Sequence, residues 1–211
     1  GVIFAGEVDI RVIEEFRKQS IPVVLVNNYL DMDGLVCISA DHYGGAVQAT
    51  EYLCKLGHCK IGLLSGRFSP QVSEARIEGF VKTLAKYDIP VDDRFIADIE
   101  PALEDGEEIM TRMLRGVDRP TAFFCTNDTI AAGAMKAVTR AGLRVPEDIA
   151  IIGFDDSYIS RVVEPELTTV RIDAAKMGCL AMQTLFDLIA GMPVEKAHIQ
   201  IPTELIVRGT A

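Results

Sequence analysis

The chain has 211 residues, 49% of them hydrophobic, and a formal charge of −10. That is enough apolar material for one large core or two smaller ones. The acidic balance excludes a free-standing nucleic-acid binder, which would present a basic face, and no apolar run reaches the roughly 18 residues of a membrane helix. In chain order, apolar runs fall at 2–5 (VIFA), 21–26 (IPVVLV), 35–39 (LVCIS), 60–65 (KIGLLS), 95–99 (FIADI), 121–126 (TAFFCT), 149–154 (IAIIGF), 167–172 (LTTVRI) and 199–207 (IQIPTELIV). The first run reads as a core strand with no cap, turn or start methionine before it, as though it continued something longer. Between the runs, 43–56, 74–86, 128–141 and 173–190 carry a 3.6-residue apolar period. Asp41, Asp128 and Asp173 stand at helix starts, and Gly57, Gly142 and Gly191 just past the ends. Continuous apolar strands alternating with helices of 10–15 residues imply parallel sheets covered on both faces. Such sheets bind ligands outside the carboxyl ends of their strands, near a switch point.

Three neighbouring strand ends carry hydrogen-bonding groups: Ser65-Gly66-Arg67, Asn127-Asp128 and Asp155-Asp156. Carboxylates and carboxamides there suit hydroxyls or ring nitrogens, and Phe123 or Phe124 offers a flat apolar wall. Asp128 and Asp156 read first as caps of the helices that follow, and Asp155 as a ligand group. Arg76, early on a helix, is either a surface residue or one that reaches the same edge. His58 reads as a residue closing a helix. Asp155 and Asp156 are adjacent, so strand alternation aims them apart and argues against an acid/base couple. No GxSxG elbow, P-loop, HExxH or GxGxxG occurs in the sequence. The five cysteines (Cys37, Cys54, Cys59, Cys125, Cys179) are odd in number, form no CxxC pair, and read as reduced thiols of a cytoplasmic protein. None of the three histidines is spaced for a metal with them, and no cofactor is expected. The acidic stretch 92–108 reads as a solvated surface.

The segments DHYGGAVQATEYLCKLGHCKIGLLSG, EARIEGFVKTL, PTAFFCTNDTIAAGAMKAVTRAGLRVPEDIAIIGFDDS, EPELTTVRID and IPTELIVRGTA together resemble the LacI/GalR family of transcriptional regulators over the whole chain. The resemblance implies an α/β fold of the periplasmic-binding-protein-like type I. It has two doubly wound parallel-sheet lobes, with a ligand cleft between them. The expected lobes are 1–58 plus 172–192, incomplete at its start, and 59–170 plus 195–211, with chain crossings near 57–60, 169–173 and 191–199. By position in the family, Arg76 matches the arginine that grips the effector, Phe124 an aromatic wall, Asn127 a polar contact and Asp155 the cleft carboxylate. Asn27 and Asp41 are the candidates from the other lobe. The implied partners are a small-molecule effector (a sugar, nucleoside or purine), a second copy of the chain, and DNA only through an amino-terminal helix-turn-helix not present in this sequence. A solute-binding protein of a sugar transport system is the alternative, disfavoured by the five cysteines and the GLRVPEDIAIIGFDD run. An enzyme on the same scaffold lacks a nucleophile or an acid/base site.

Overall fold

A computed structural model describes residues 1–30, 32, 34–116, 118–193 and 197–211. The chain divides into two compact units, one of residues 1–41 and 173–202, the other of residues 42–172 and 203–211.

The first unit is built on a four-stranded parallel sheet. Its strands are β1 (Val2–Ala5), β2 (Val23–Val26), β3 (Val36–Ala40) and β9 (His198–Ile201), in spatial order β1-β2-β3-β9. Helix α1 (Ile10–Lys18) starts at Asp9, whose carboxylate accepts the Arg11 N–H at 2.9 Å. Helix α7 (Ala174–Ile189) starts at Asp173, which caps it by accepting the Lys176 N–H at 2.8 Å, as its sequence position predicts. Ile13, Val23, Leu25, Leu35 and Cys37 form the buried cluster, with Phe4 and Phe16 packed edge to face at 5.6 Å. Burying each such aliphatic or aromatic side chain contributes roughly 1.5–3 kcal/mol.

The second unit carries a six-stranded sheet. Chain order gives α2 (His42–Lys55), β4 (Ile61–Gly66), α3 (Pro70–Lys86), β5 (Ile96–Ile99), α4 (Leu103–Leu114), β6 (Ala122–Cys125), α5 (Asp128–Arg140), β7 (Ala150–Asp155), the short α6 (Ile159–Val162), β8 (Thr168–Arg171) and β10 (Glu204–Ile206). The spatial order is β10-β8-β7-β6-β4-β5, all parallel except β10, which runs antiparallel to β8. Alternation along each strand sends side chains to two cores. Leu63, Phe124, Ile152 and Phe154 meet Ala46 and Leu53 of α2 and Phe80 and Leu84 of α3. Leu64, Phe123, Cys125 and Ile151 meet Met110 and Met113 of α4 and Ile130 and Val138 of α5. With both faces covered, strands such as AFFC are apolar throughout.

The expected lobe boundaries need two corrections. The division at 58 falls too late, because α2 packs its Ala46-Ala49-Leu53 stripe into the second unit's core. The division at 195 lies outside the described residues, yet 197–202 belong to the first unit. The run 199–207, read as one strand, is two strands in two sheets. Pro202, without an N–H to give a ladder, separates them. The short connection near 57–60 instead closes a helix within one unit, where His58 Nδ1 lies 2.8 Å from Thr121 Oγ1. Much of the acidic stretch is ion-paired at the surface: Asp98 and Glu100 meet Arg67, and Glu107 meets Lys136 and Arg140.

Candidate functional site

In the second unit, β4 connects outward to β5 while β6, β7 and β8 build in the other direction. The order therefore reverses between β4 and β6, the place where such sheets bind ligands. The ends of β4, β6 and β7 stand side by side there, as the sequence predicts.

Asp155 ends β7 with φ of +108°, a conformation an L residue adopts only under strain of order 1–3 kcal/mol. Strict alternation would send it to the face opposite Phe154. The left-handed turn instead brings its Oδ1 to 3.3 Å from Arg76 Nη2. Its side chain stays 37% exposed. Burial of the surrounding edge pushes its pKa up to about 6, and the Arg76 charge works in the opposite direction.

Arg76, on the second turn of α3, is 3% exposed. Its Nη1 donates to the Thr126 carbonyl, and its Nη2 is 3.2 Å from His42 Nδ1. Its guanidinium lies 3.9 Å from the Phe154 ring centre and 5.0 Å from that of Phe68. Burial, then the neighbouring Arg76 charge, holds His42 down to a pKa of about 3, so the imidazole is neutral near pH 7. A neutral ring facing an arginine must accept at Nδ1, which places the proton on Nε2.

Asp156 turns the other way. Its side chain is 2% exposed and accepts from Arg208 Nη2 at 2.5 Å, Arg171 Nε at 2.7 Å, Ser160 Oγ at 3.1 Å and Arg161 Nη2 at 3.4 Å. Burial pushes its pKa up, but the Arg208 and Arg171 hydrogen bonds prevail and bring it to about 2. Asp128 is also buried, accepting Thr169 Oγ1 at 2.5 Å and the Ser157 N–H at 2.6 Å. Gly153 makes room for it: a Cβ there would lie 2.4 Å from Asp128 Oδ1. Neither aspartate caps the following helix. Asn127 caps α5, its Oδ1 accepting the Ile130 N–H at 2.8 Å.

Of the six candidates from the sequence, Arg76, Asn127 and Asp155 lie together at this edge. Phe124 does not form a wall on it. Its ring is 0% exposed, one layer below, 6.3 Å from that of Phe154. Asn27 and Asp41 belong to the first unit. Asn27 follows β2 with φ of +51°, and its buried Oδ1 has no hydrogen-bond partner among the described residues. Asp41 follows β3, and its N–H donates to the Ile201 carbonyl at 2.8 Å. Sequence reasoning missed His42 and Phe68. Phe68 had one signal, an aromatic just past the strand-end glycine in SGRF; His42 had none. Elsewhere in this unit a groove of about 780 Å³ between α4 and α5 is lined by Glu104, Glu108, Arg112, Arg115 and Arg140. It holds none of the strained or buried polar groups found at the sheet edge. Among the described residues no group of three or more His, Cys, Asp or Glu side chains is placed to hold a metal.

The chain matches the family described as "Periplasmic binding protein-like domain" over residues 50–211. It is 34% identical over 210 residues to the probable HTH-type transcriptional repressor ExuR of Bacillus subtilis, covering 99% of this chain and 63% of that protein. It is 36% identical over 191 residues to the HTH-type transcriptional repressor PurR of Pasteurella multocida, covering 90% of this chain and 57% of that one. Among solved structures, a regulatory protein of LacI family from Chloroflexus aggregans superposes with a TM-score of 0.90 at 30% identity, over 99% of this chain and 75% of that one. The chain thus spans between half and about three-fifths of the length of the curated relatives it matches.

Proposed function

The chain belongs to the LacI family of transcriptional regulators, and we propose that the edge formed by Asp155, Arg76 and Asn127 is where its effector-binding core holds the effector. The observation that carries this reading is Asp155: a strained, half-exposed carboxylate whose pKa burial raises, held beside a buried arginine at the switch point of a parallel sheet. Strain and desolvation of this kind cost stability and accumulate where a ligand repays them. A carboxylate, a neighbouring guanidinium and the Nδ2 of Asn127 suit a small ligand with several hydroxyls or ring N–H groups, of the sugar or nucleoside and purine kind. Asn27, strained and with an unsatisfied oxygen, is the corresponding candidate of the first unit.

The edge offers binding groups, and the reading is a sensor and not an enzyme. DNA contact would belong to parts of the protein beyond this acidic chain, and the working form would be a homodimer. A thermal-unfolding screen of the intact protein against hexoses, hexuronates, sugar phosphates, nucleosides and purine bases tests the reading. A compound at 100 times its Kd should add about 2.7 kcal/mol, a rise of roughly 5–10 °C for a domain of this size. No stabilisation by any member of the panel would refute it. A companion test is retention of duplex DNA: residues 1–211 alone should show no sequence-specific binding at physiological salt.

A further inference from the structure

The residue that the family pattern offers as an aromatic wall, Phe124, is sealed in the core. A different aromatic stands at the edge. Phe68 lies in the loop between β4 and α3 and is half-buried. Three features fix its ring without any ligand. It lies against Gly66, where a Cβ would come within 2.8 Å of its Cε2 and 2.9 Å of its Cζ, so only glycine admits the ring there. Its backbone N–H donates to Ser73 Oγ at 3.1 Å, and that hydroxyl donates to the Gly66 carbonyl at 3.2 Å. Its ring lies against the Arg76 guanidinium, which also packs on the Phe154 ring. The next residue, Ser69, begins α3 without a side-chain cap, and its buried Oγ has no partner among the described residues.

A half-buried aromatic ring, held on an arginine that in turn meets the Asp155 carboxylate, is an arrangement suited to a ring-shaped polar molecule. The flat apolar face of the ligand covers the aromatic, and its rim takes the hydrogen bonds. We infer that Phe68 supplies the stacking face of the effector site and thereby selects cyclic ligands, whether a sugar ring or a nucleobase, over acyclic polar ones. This rests on the sensing role proposed above.

The test uses the intact protein and three variants, Phe68→Leu, Phe68→Tyr and Phe68→Trp. The probes are glucose, galacturonate, cytidine, adenosine and hypoxanthine, with glucitol as the acyclic control. The chain contains no tryptophan, so Phe68→Trp adds an indole at this one position, read as a difference spectrum against the wild type. The expected result is that any probe stabilising the wild type is cyclic, binds Phe68→Leu at least tenfold more weakly and Phe68→Tyr within about threefold, and shifts the indole emission of Phe68→Trp. The unliganded melting temperatures should stay within a few degrees of one another. Should Phe68→Leu fail to fold, the Tyr and Trp variants carry the test through retained affinity and the indole shift. Affinity within twofold in Phe68→Leu, a silent indole on binding, or glucitol as the preferred probe overturns the inference. If a probe loses affinity in Asp155→Asn but not in Phe68→Leu, only this inference fails. If no probe stabilises the wild type, the sensing reading fails and takes this inference with it.

Discussion

Asp155 and Asp156 are neighbours in the chain and lie in two different regions of one sheet edge. On the β8 side, Asp156 is buried among Arg171, Arg208, Arg161 and Ser160, with its charge fully answered and its pKa near 2. On the α3 side, Asp155 is half-exposed, strained at φ +108°, and faces one arginine already engaged by His42 and Thr126, with its pKa near 6. The first region has satisfied every charge and holds strands, helix and C-terminal segment together. The second leaves polar capacity over. On the reading proposed above, two identical side chains divide into a structural and a binding group, and the backbone turn at the strand end sends them apart.

The largest expected effect breaks the structural side. Asp156→Ala takes from three arginines, Arg161, Arg171 and Arg208, the last at 12% exposure, the buried carboxylate they share. Breaking a buried pair in this way costs about 3–5 kcal/mol, read as a lower urea midpoint at unchanged slope. The sign of its pH dependence follows from the lowered pKa. The stabilisation is present above the ordinary value of 3.8 and is lost as pH falls through about 2.

A similar contrast separates the two phenylalanines. Phe124→Ala empties a fully buried site and should cost about 3–5 kcal/mol. A large stability loss from Phe68→Leu together with a small one from Phe124→Ala, in paired denaturation curves, would invert the assignment of core and edge.

A smaller effect sharpens the comparison through pH. His42 has its pKa lowered from 6.5 to about 3, so its stability is present above pH 6.5 and is lost as pH falls. Asp155 has its pKa raised from 3.8 to about 6, so its stability is present below pH 3.8 and is lost as pH rises through 6. Between pH 4 and 6 the two slopes oppose one another. His42→Gln should unmask a stability that falls with rising pH, and Asp155→Asn one that rises. Each tilt should be about 1–2 kcal/mol across the window once solvent screening of the half-exposed carboxylate is allowed for. Parallel profiles for the two variants would show that the groups do not titrate against Arg76 as the geometry implies.

Much of this was legible in the sequence. Apolar runs and 3.6-residue periods located nine strand regions, and the polar groups at the ends of β4, β6 and β7 marked their shared edge. Three things were not legible, each for a physical reason. Lobe boundaries depend on which core a helix stripe meets, and the Ala46-Ala49-Leu53 stripe reads alike for either unit. Buried strands of a two-sided sheet are apolar at every position, so Phe123 and Phe124 could not be told from an exposed wall. The side chain of an aspartate at a strand end goes where φ sends it, so the positive φ of both Asp155 and Asp156, and the Asn127 cap that displaced Asp128 from that role, had to be observed.

Thermal unfolding of Asp155→Asn beside the wild type at pH 7.5, with and without the compound that stabilises the wild type best, tests the division of the two aspartates most directly. Removing a charge held at a raised pKa, in a shape that still fits the strand end, should leave the unliganded variant as stable as the wild type or more so, by about 1 kcal/mol. The increment given by the compound should largely disappear, since a carboxylate acceptor has become an amide. An unliganded variant that melts well below the wild type while keeping the full ligand increment would make Asp155 a structural residue like its neighbour, and would contradict the account.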